Sequence, residues 1–306
     1  MDDATRIHLF EQHRTKLRGV AYRMLGSRSD AEDVVQDAYL RWHRASTDEI
    51  RSVEAWLVTV VTRLSIDRLR QAKVERESYV GPWLPEPLVE NEAPPADAAS
   101  ELASSLSVAF LVVLERLAPE ERAAFLLHEV FETGYDEIAQ ILGKSEPACR
   151  QLVSRARKRV HEERPRVQVS EEARTKLLNR FVQAILTNDK DEMMAVLASD
   201  AAWISDGGGK ARAALHPVLG RDAVTRFVLA VLGKHAAEAT FEPVNVNGES
   251  GLAFYLGPQL ISVMSFRTDG ARILDVFATL NPEKLSQIGV PFRLLSEDPL
   301  NQTEHP

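Results

Sequence analysis

Two short segments of opposite charge carry the chemistry this sequence offers, and it is the chemistry of recognition. In Asp30-Ala-Glu-Asp-Val-Val-Gln-Asp-Ala-Tyr-Leu-Arg-Trp42, the residues Val34, Val35, Ala38, Tyr39 and Trp42 recur at helical spacing and turn inward. Glu32, Asp33, Gln36 and Asp37 are left on the other side as an acidic face. Asp30 reads as the N-cap, and Asp33 adds negative charge to the first turn, where the helix dipole favours it. After a short polar turn, residues 54–70 read as a second helix whose outward residues are mainly basic. An acidic helix beside a basic one on a single core implies two different partners.

A third charged segment follows much later, over residues 134–159. Gly143 permits a tight turn, Ser145 caps a helix and Pro147 fits its first turn, so the pattern is a helix-turn-helix. Ile138, Ala139 and Leu142 anchor the first helix, and Ala148, Leu152, Ala156 and Val160 form the buried stripe of the second. Arg150, Ser154, Arg157 and Lys158 lie on other faces, flanked by Arg155 and Arg159. Arg150 sits near the N-terminal end, the part of a recognition helix that reaches base edges. The later basic run suits phosphates, which position a helix without reading sequence. Cys149 reads as a small packing residue.

The scaffold for these faces is sufficient, because 306 residues with 44% hydrophobic content are ample for packed cores. No apolar run is long enough to span a bilayer, and the Met-Asp-Asp start lacks a signal-peptide pattern. One cysteine excludes a disulfide framework and a cysteine-rich zinc site. A cytoplasmic chain is the expectation. The net charge of −8 is the wrong sign for a protein that grips DNA unaided, because phosphate neutralisation supplies much of that affinity.

The chain divides into residues 6–76, a Pro-rich linker 77–100, a second helical domain 101–164, a third region 170–296 and a tail 297–306. The linker holds Gly81, Pro82, Pro85, Pro87, Pro94 and Pro95. Its Trp83-Leu-Pro-Glu-Pro87 places an apolar ring where it must either pack on a neighbour or meet a partner; packing is the plainer reading. In the second domain, residues 106–117 and 120–131 read as helices, the latter carrying Ala123, Ala124, Leu126, Leu127 and Val130 inward. The third region opens with helices over residues 171–187 and 192–197, a strand over 201–205 and a helix over 222–232. Strand-like runs follow at 239–246, 252–256, 260–267 and 272–280, so an α+β domain ending in a curved antiparallel meander is expected.

Gly26, Asp30-Ala-Glu-Asp33, Val35-Gln-Asp37, Trp56-Leu57 and Arg63 to Arg70 together resemble the extracytoplasmic-function (ECF) family of bacterial sigma factors. The resemblance implies that Asp30, Glu32, Asp33, Gln36 and Asp37 dock on the clamp of core RNA polymerase. It implies that Arg63, Asp67, Arg68 and Arg70, with the loop near Ala45 to Ser52, open and read the −10 promoter element. The helix-turn-helix is similar to the family's −35 reader, which assigns Ser145, Arg150, Ser154, Arg155, Arg157 and Lys158 to promoter DNA. In the family, the clamp and flap regions of the polymerase are the partner surfaces, and the linker threads toward the active centre and RNA exit path.

The third region is no part of an ordinary ECF sigma factor. Its element order resembles the SnoaL-like, NTF2-like cone fold. Asp206-Gly207-Gly208-Gly209-Lys210 and Asn281-Pro282-Glu283-Lys284-Leu285, with Trp83 and Pro85 of the linker, resemble the SigJ-like subgroup, which carries such an extension and implies control in cis. The two motifs are expected to meet at one surface that contacts the sigma domains. Cone folds often enclose a pocket, so a small ligand there stays an open alternative, as does an enzyme built on Asp206, Asp222, Asp275, His216 or His235. No metal-ligand spacing, cofactor motif or catalytic set is assigned. A ligand-responsive helix-turn-helix regulator working without polymerase is the other reading; the acidic helix argues against it, because a repressor has no need of that face.

Overall fold

The computed structural model describes residues 2–46, 50–90, 107–163, 169–286 and 288. The tail, linker residues 91–106 with Pro94 and Pro95, and residues 47–49 of the loop before the basic helix lie outside the described residues. The chain forms two compact units, one of residues 1–86 with 97–168 and the other of residues 87–96 with 169–306.

Among the described residues, the first unit is helical with connecting turns. Helices α1 (Asp3–Leu25), α2 (Arg28–Arg44) and α3 (Val53–Glu77) form one bundle, each opened by a side-chain cap from Asp2, Ser27 and Ser52. The α2 cap corrects the sequence expectation: Ser27 Oγ accepts from Asp30 N at 3.2 Å, so Asp30 lies inside the first turn and its carboxylate is released for a different task. Trp42 is fully buried, as are Leu17, Met24, Leu57 and Val61, with Val34, Val35 and Ala38 also inside, while Tyr39 is half-buried. The Trp42 indole donates to Arg6 O at 3.0 Å, and the Arg6 guanidinium donates back to Trp42 O at 2.8 Å.

Helices α4 (Val108–Leu114), α5 (Pro119–Glu129), α6 (Tyr135–Leu142) and α7 (Glu146–Glu163) complete this unit. Pro119 opens α5 where its missing N–H leaves nothing unpaired. The turn between α6 and α7 is made by Gly143 at φ 63°, and Ser145 Oγ accepts from Ala148 N at 3.4 Å. Burial differs in detail from the expected stripes. Ile138 and Ile141 are the buried anchors of α6, with Leu142 half-buried; Cys149, Leu152, Val153 and Ala156 are the buried residues of α7. The 3.6-residue period spreads the inward stripe onto neighbouring positions instead of one strict four-residue row.

The second unit is a mixed sheet covered by helices. Helices α8 (Glu171–Leu186) and α9 (Lys190–Val196) lead into β2 (Leu197–Asp206), β3 (Val218–Leu219) and α10 (Arg221–Val231). Strands β4 (Ala239–Val246), β5 (Glu249–Leu256), β6 (Gln259–Thr268) and β7 (Ile273–Thr279) make the expected antiparallel meander. Strand β2 pairs with β7 in parallel, so the sheet is mixed. The strand order is β1-β4-β5-β6-β7-β2-β3, and its first member, β1 (Val89–Glu90), comes from the linker. Phe181, Trp203, Phe254, Met264 and Phe266 fill the core between helices and sheet, with Phe181 and Phe266 meeting edge to face at 5.5 Å.

Candidate polymerase and promoter interfaces

The acidic face of α2 divides between internal and external roles. Asp33, Gln36 and Asp37 are exposed. Asp30 instead accepts from Arg68 Nε of α3 at 2.8 Å, and Glu32 pairs with Arg18 of α1 at 3.1 Å. The carboxylates nearest the N-terminus therefore brace the bundle, and those one turn on are free to meet another surface.

The basic helix is also engaged. Arg63 donates to Ile141 O at 2.8 Å and to Gln140 O at 2.9 Å, the carbonyls that end α6. Arg70 bridges Asp67 at 3.1 Å and Glu120 of α5 at 3.0 Å. Arg68 turns inward to Asp30 and Glu75, and Asp67 is exposed. Two of the four residues expected at the −10 element thus grip the helix-turn-helix half of the unit.

Beneath them lies a charge cluster with no sequence forecast. Arg122, 2% exposed, donates to Glu115 Oε1 at 2.7 Å and to Met24 O at 2.6 Å. Arg76 pairs with the other oxygen of Glu115, donates to Leu25 O at 3.2 Å and stacks on the Trp83 ring at 3.6 Å. Burial pushes Arg122 down to about 9 and Arg76 to about 10; both stay charged at neutral pH. Arg122 Nε has no partner among the described residues. The signal that could have flagged the cluster is an arginine in an apolar run, Arg122-Ala-Ala-Phe-Leu-Leu127.

On α7, Arg150 pairs with Glu146 at 3.3 Å and stacks on Tyr135 at 4.3 Å, while Ser154 and Lys158 are exposed. Arg155 and Arg159 both hold Glu121 of α5, at 3.2 and 3.3 Å, and Arg157 holds Glu129. Ser145 serves as the helix cap. Cys149 is buried, and burial pushes its thiol up.

The linker motif packs on the α1–α2 corner. Gly26 adopts φ 65°, and a Cβ there would come within 2.9 Å of the Trp83 ring. Leu84 and Pro85 are buried; Glu86 donates its N–H to Gly26 O at 2.7 Å, and its carboxylate accepts from Arg28 N at 2.7 Å and Ser27 Oγ at 3.0 Å. Tyr22 closes the corner by donating to Glu86 O at 2.6 Å.

In the second unit the two glycine- and proline-bearing motifs meet each other. Asp206, fully buried, accepts from Lys284 Nζ at 2.7 Å, and Lys210 pairs with Glu283. The Asp206 carbonyl accepts from Leu280 N and Asn281 N, and Asn281 caps the last helix, α11 (Pro282–Leu285), by accepting from Glu283 N at 3.1 Å. Gly207 is required because any Cβ would strike Ala211 O; Gly208 and Gly209 take positive φ. Of the remaining acid–base candidates, Asp275 pairs with Arg267, Asp222 and His216 are exposed, and His235 is half-buried.

A bundle with an acidic face, joined to a helix-turn-helix, defines a transcription initiation factor of the sigma-70 class: residues 9–74 match Sigma-70 region 2, and residues 107–160 match Sigma-70, region 4. The chain is 37% identical over 310 residues to the ECF RNA polymerase sigma factor SigJ of Mycobacterium tuberculosis, covering 97% of each chain. It is 30% identical over 278 residues to the probable ECF RNA polymerase sigma factor SigI of the same species, covering 90% of this chain and 93% of that one. The crystal structure of M. tuberculosis SigJ matches with a TM-score of 0.72 at 34% identity, over 92% of this chain and 99% of that chain. The chain belongs to the ECF family of RNA polymerase sigma factors.

Proposed function

We propose that this sigma factor docks on the polymerase clamp through Asp33, Gln36 and Asp37, and on the flap through its region 4. Region 2 reads and opens the −10 element with Arg63, Asp67 and Arg70, while α7 meets the −35 element. There Arg150 reads a base, and Ser154, Arg157 and Lys158 hold phosphates. The work is done with cytoplasmic polymerase, as an initiation factor and not as an enzyme.

The observation that carries the regulatory part of this reading is the bond from Arg63 to the end of α6. Elements centred on −10 and −35 are about 25 base pairs apart, or roughly 85 Å of duplex at 3.4 Å per step. Helices that touch cannot read both, so the packed first unit is a resting state. The Arg76–Glu115–Arg122 cluster suits a reversible contact: buried charge of this kind contributes little net stability but is sensitive to loss of one member.

The helix-plus-sheet domain over residues 170–296 acts in cis. Its paired motifs, Asp206–Lys210 and Asn281–Leu285, are tied together by Lys284 on Asp206 and Lys210 on Glu283, and supply the residues through which the domain exerts that control. The aromatic filling of its core favours a docking role over a small-ligand pocket. The experiment is transcription in vitro with purified core polymerase, comparing the full chain with one ending near Arg164; the cis reading expects different promoter activity from the two, and equal activity contradicts it.

A further inference from the structure

Region 2 and region 4 are joined by a tether whose first residues are already spoken for. Up to Glu86 the chain is fixed on the α1–α2 corner. Slack for separating the two regions therefore begins at Pro87. Yet Val89 and Glu90 form β1, the outermost strand of the C-terminal sheet, pairing Val89 with Val246 and Glu90 with Asn245.

The β4 edge is shaped to take this segment. Asn247 and Gly248 are the two central residues of the β4–β5 turn, at φ 56° and 84°, the positive values a two-residue hairpin needs. Asn247, 2% exposed, uses both its side chain and its backbone on one linker residue: Leu88 N donates to Asn247 Oδ1 at 2.8 Å, and Asn247 N donates to Leu88 O at 2.8 Å. The side-chain amide thus replaces the backbone carbonyl of an ordinary ladder pair. Val246 beneath it is 2% exposed, and Pro87 just ahead is buried. Among the described residues, β1 covers the last two residues of the eight in β4. A strand so short, held at a sheet margin, opens locally at low free energy.

We propose that the β4 edge is a latch: the C-terminal domain controls the sigma portion by adding the linker segment Leu88–Glu90 to its own sheet, and loading onto core polymerase releases that strand. The recognition is β-addition, with backbone bonds supplying the grip and Asn247 fixing the register. Each residue freed returns up to about 3.5 Å of reach to the tether. The proposal rests on the reading that regions 2 and 4 separate on a bipartite promoter.

The test uses the full chain with Val89→Cys and Val246→Cys. Because Leu88 and Asn247 exchange hydrogen bonds, the next pair along is a non-bonded one, with Cα atoms about 4.5 Å apart. That spacing lies within the disulfide range of about 4.4–6.8 Å. The lone native thiol, Cys149, is buried and stays silent. With oxidised glutathione the disulfide is expected to close readily in the free protein and about tenfold more slowly in the complex with core polymerase. The closed form is expected to lose about nine-tenths of its transcription and to regain it with reductant. A disulfide that does not close in the free protein, that closes at the same rate on polymerase, or that leaves transcription unchanged overturns the latch. Asn247→Gly keeps the positive φ and removes the side-chain amide, and with it the Oδ1 acceptor for Leu88 N–H. It is expected to speed hydrogen exchange at Leu88 N–H about tenfold, equal to about 1.4 kcal/mol, and unchanged exchange overturns the role of Asn247. Core-polymerase binding by pull-down separates the two failures: a chain that does not bind sinks the functional reading and the latch together, while one that binds and transcribes with an unaltered closing rate sinks the latch alone.

Discussion

Arg63 of region 2 donates to the main-chain carbonyl of Ile141 at 2.8 Å, where the first helix of the helix-turn-helix ends. The last carbonyls of a helix have no partner within it and carry the negative end of its dipole, so a guanidinium is a well-matched cap. A residue expected at DNA is thereby occupied by the very domain that should bind DNA elsewhere. The bond is charge-assisted and joins residues 78 apart in the chain.

The central contact beneath it should respond unequally to its members. Glu115→Ala leaves Arg122 buried without a counter-charge and should destabilise the packed first unit by about 3–5 kcal/mol. Arg122→Met, which keeps the volume and leaves Glu115 paired with Arg76, should change stability by about 1 kcal/mol or less. Urea unfolding followed by tryptophan fluorescence reads both; equal losses would show that the cluster is not a coupled unit.

Polymerase docking should depend on exposed charge alone. Asp33→Lys with Asp37→Lys should abolish pull-down of core polymerase at moderate salt while shifting folding stability by less than about 1 kcal/mol, since exposed charges contribute little to it. Retained binding would remove this face from the interface.

Promoter reading should separate by residue. Arg150→Ala should lose about 1–3 kcal/mol of discrimination at one −35 base position, and Lys158→Ala should weaken all sequences alike and lower the salt slope by about one. Binding to a library of −35 variants at two salt concentrations checks this, and an unaltered preference in Arg150→Ala would reassign the reader.

The cap of the C-terminal domain should behave as a buried ion pair. Lys284→Met removes the ammonium that pairs with the fully buried Asp206 carboxylate, a change of about 3–5 kcal/mol, whereas Lys210→Ala removes only a surface pair and should change stability by less than about 1 kcal/mol. Thermal unfolding of the full chain measures the contrast; similar midpoints for the two variants would contradict the assigned burial.

The sequence made the helices and the meander legible because their periods are strong: β4 falls on residues 239–246 as its alternation indicates, and α2 and α10 follow their apolar stripes. The meeting of Asp206–Lys210 with Asn281–Leu285 was legible from their positions at strand ends. What escaped was long-range and polar. Ser27 won the α2 cap from Asp30 because Glu86, distant in sequence, braces that corner. Arg122 drew no assignment from the sequence, because its burial depends on Glu115 and on the Met24 carbonyl, which only the fold brings beside it. The strand at Val89 and Glu90 is too short for any period to announce, and the parallel pairing of β2 with β7 is set by topology and not by side-chain pattern.

The most direct measurement is run-off transcription by purified core polymerase with the full chain on a genomic DNA library, with the Asp33→Lys and Asp37→Lys double variant alongside. Transcripts are expected whose starts share one upstream sequence near −10 and a second near −35, and these are expected to be lost with the double variant. Transcription no greater than that of core polymerase alone, or starts without a shared pair of elements, would contradict it.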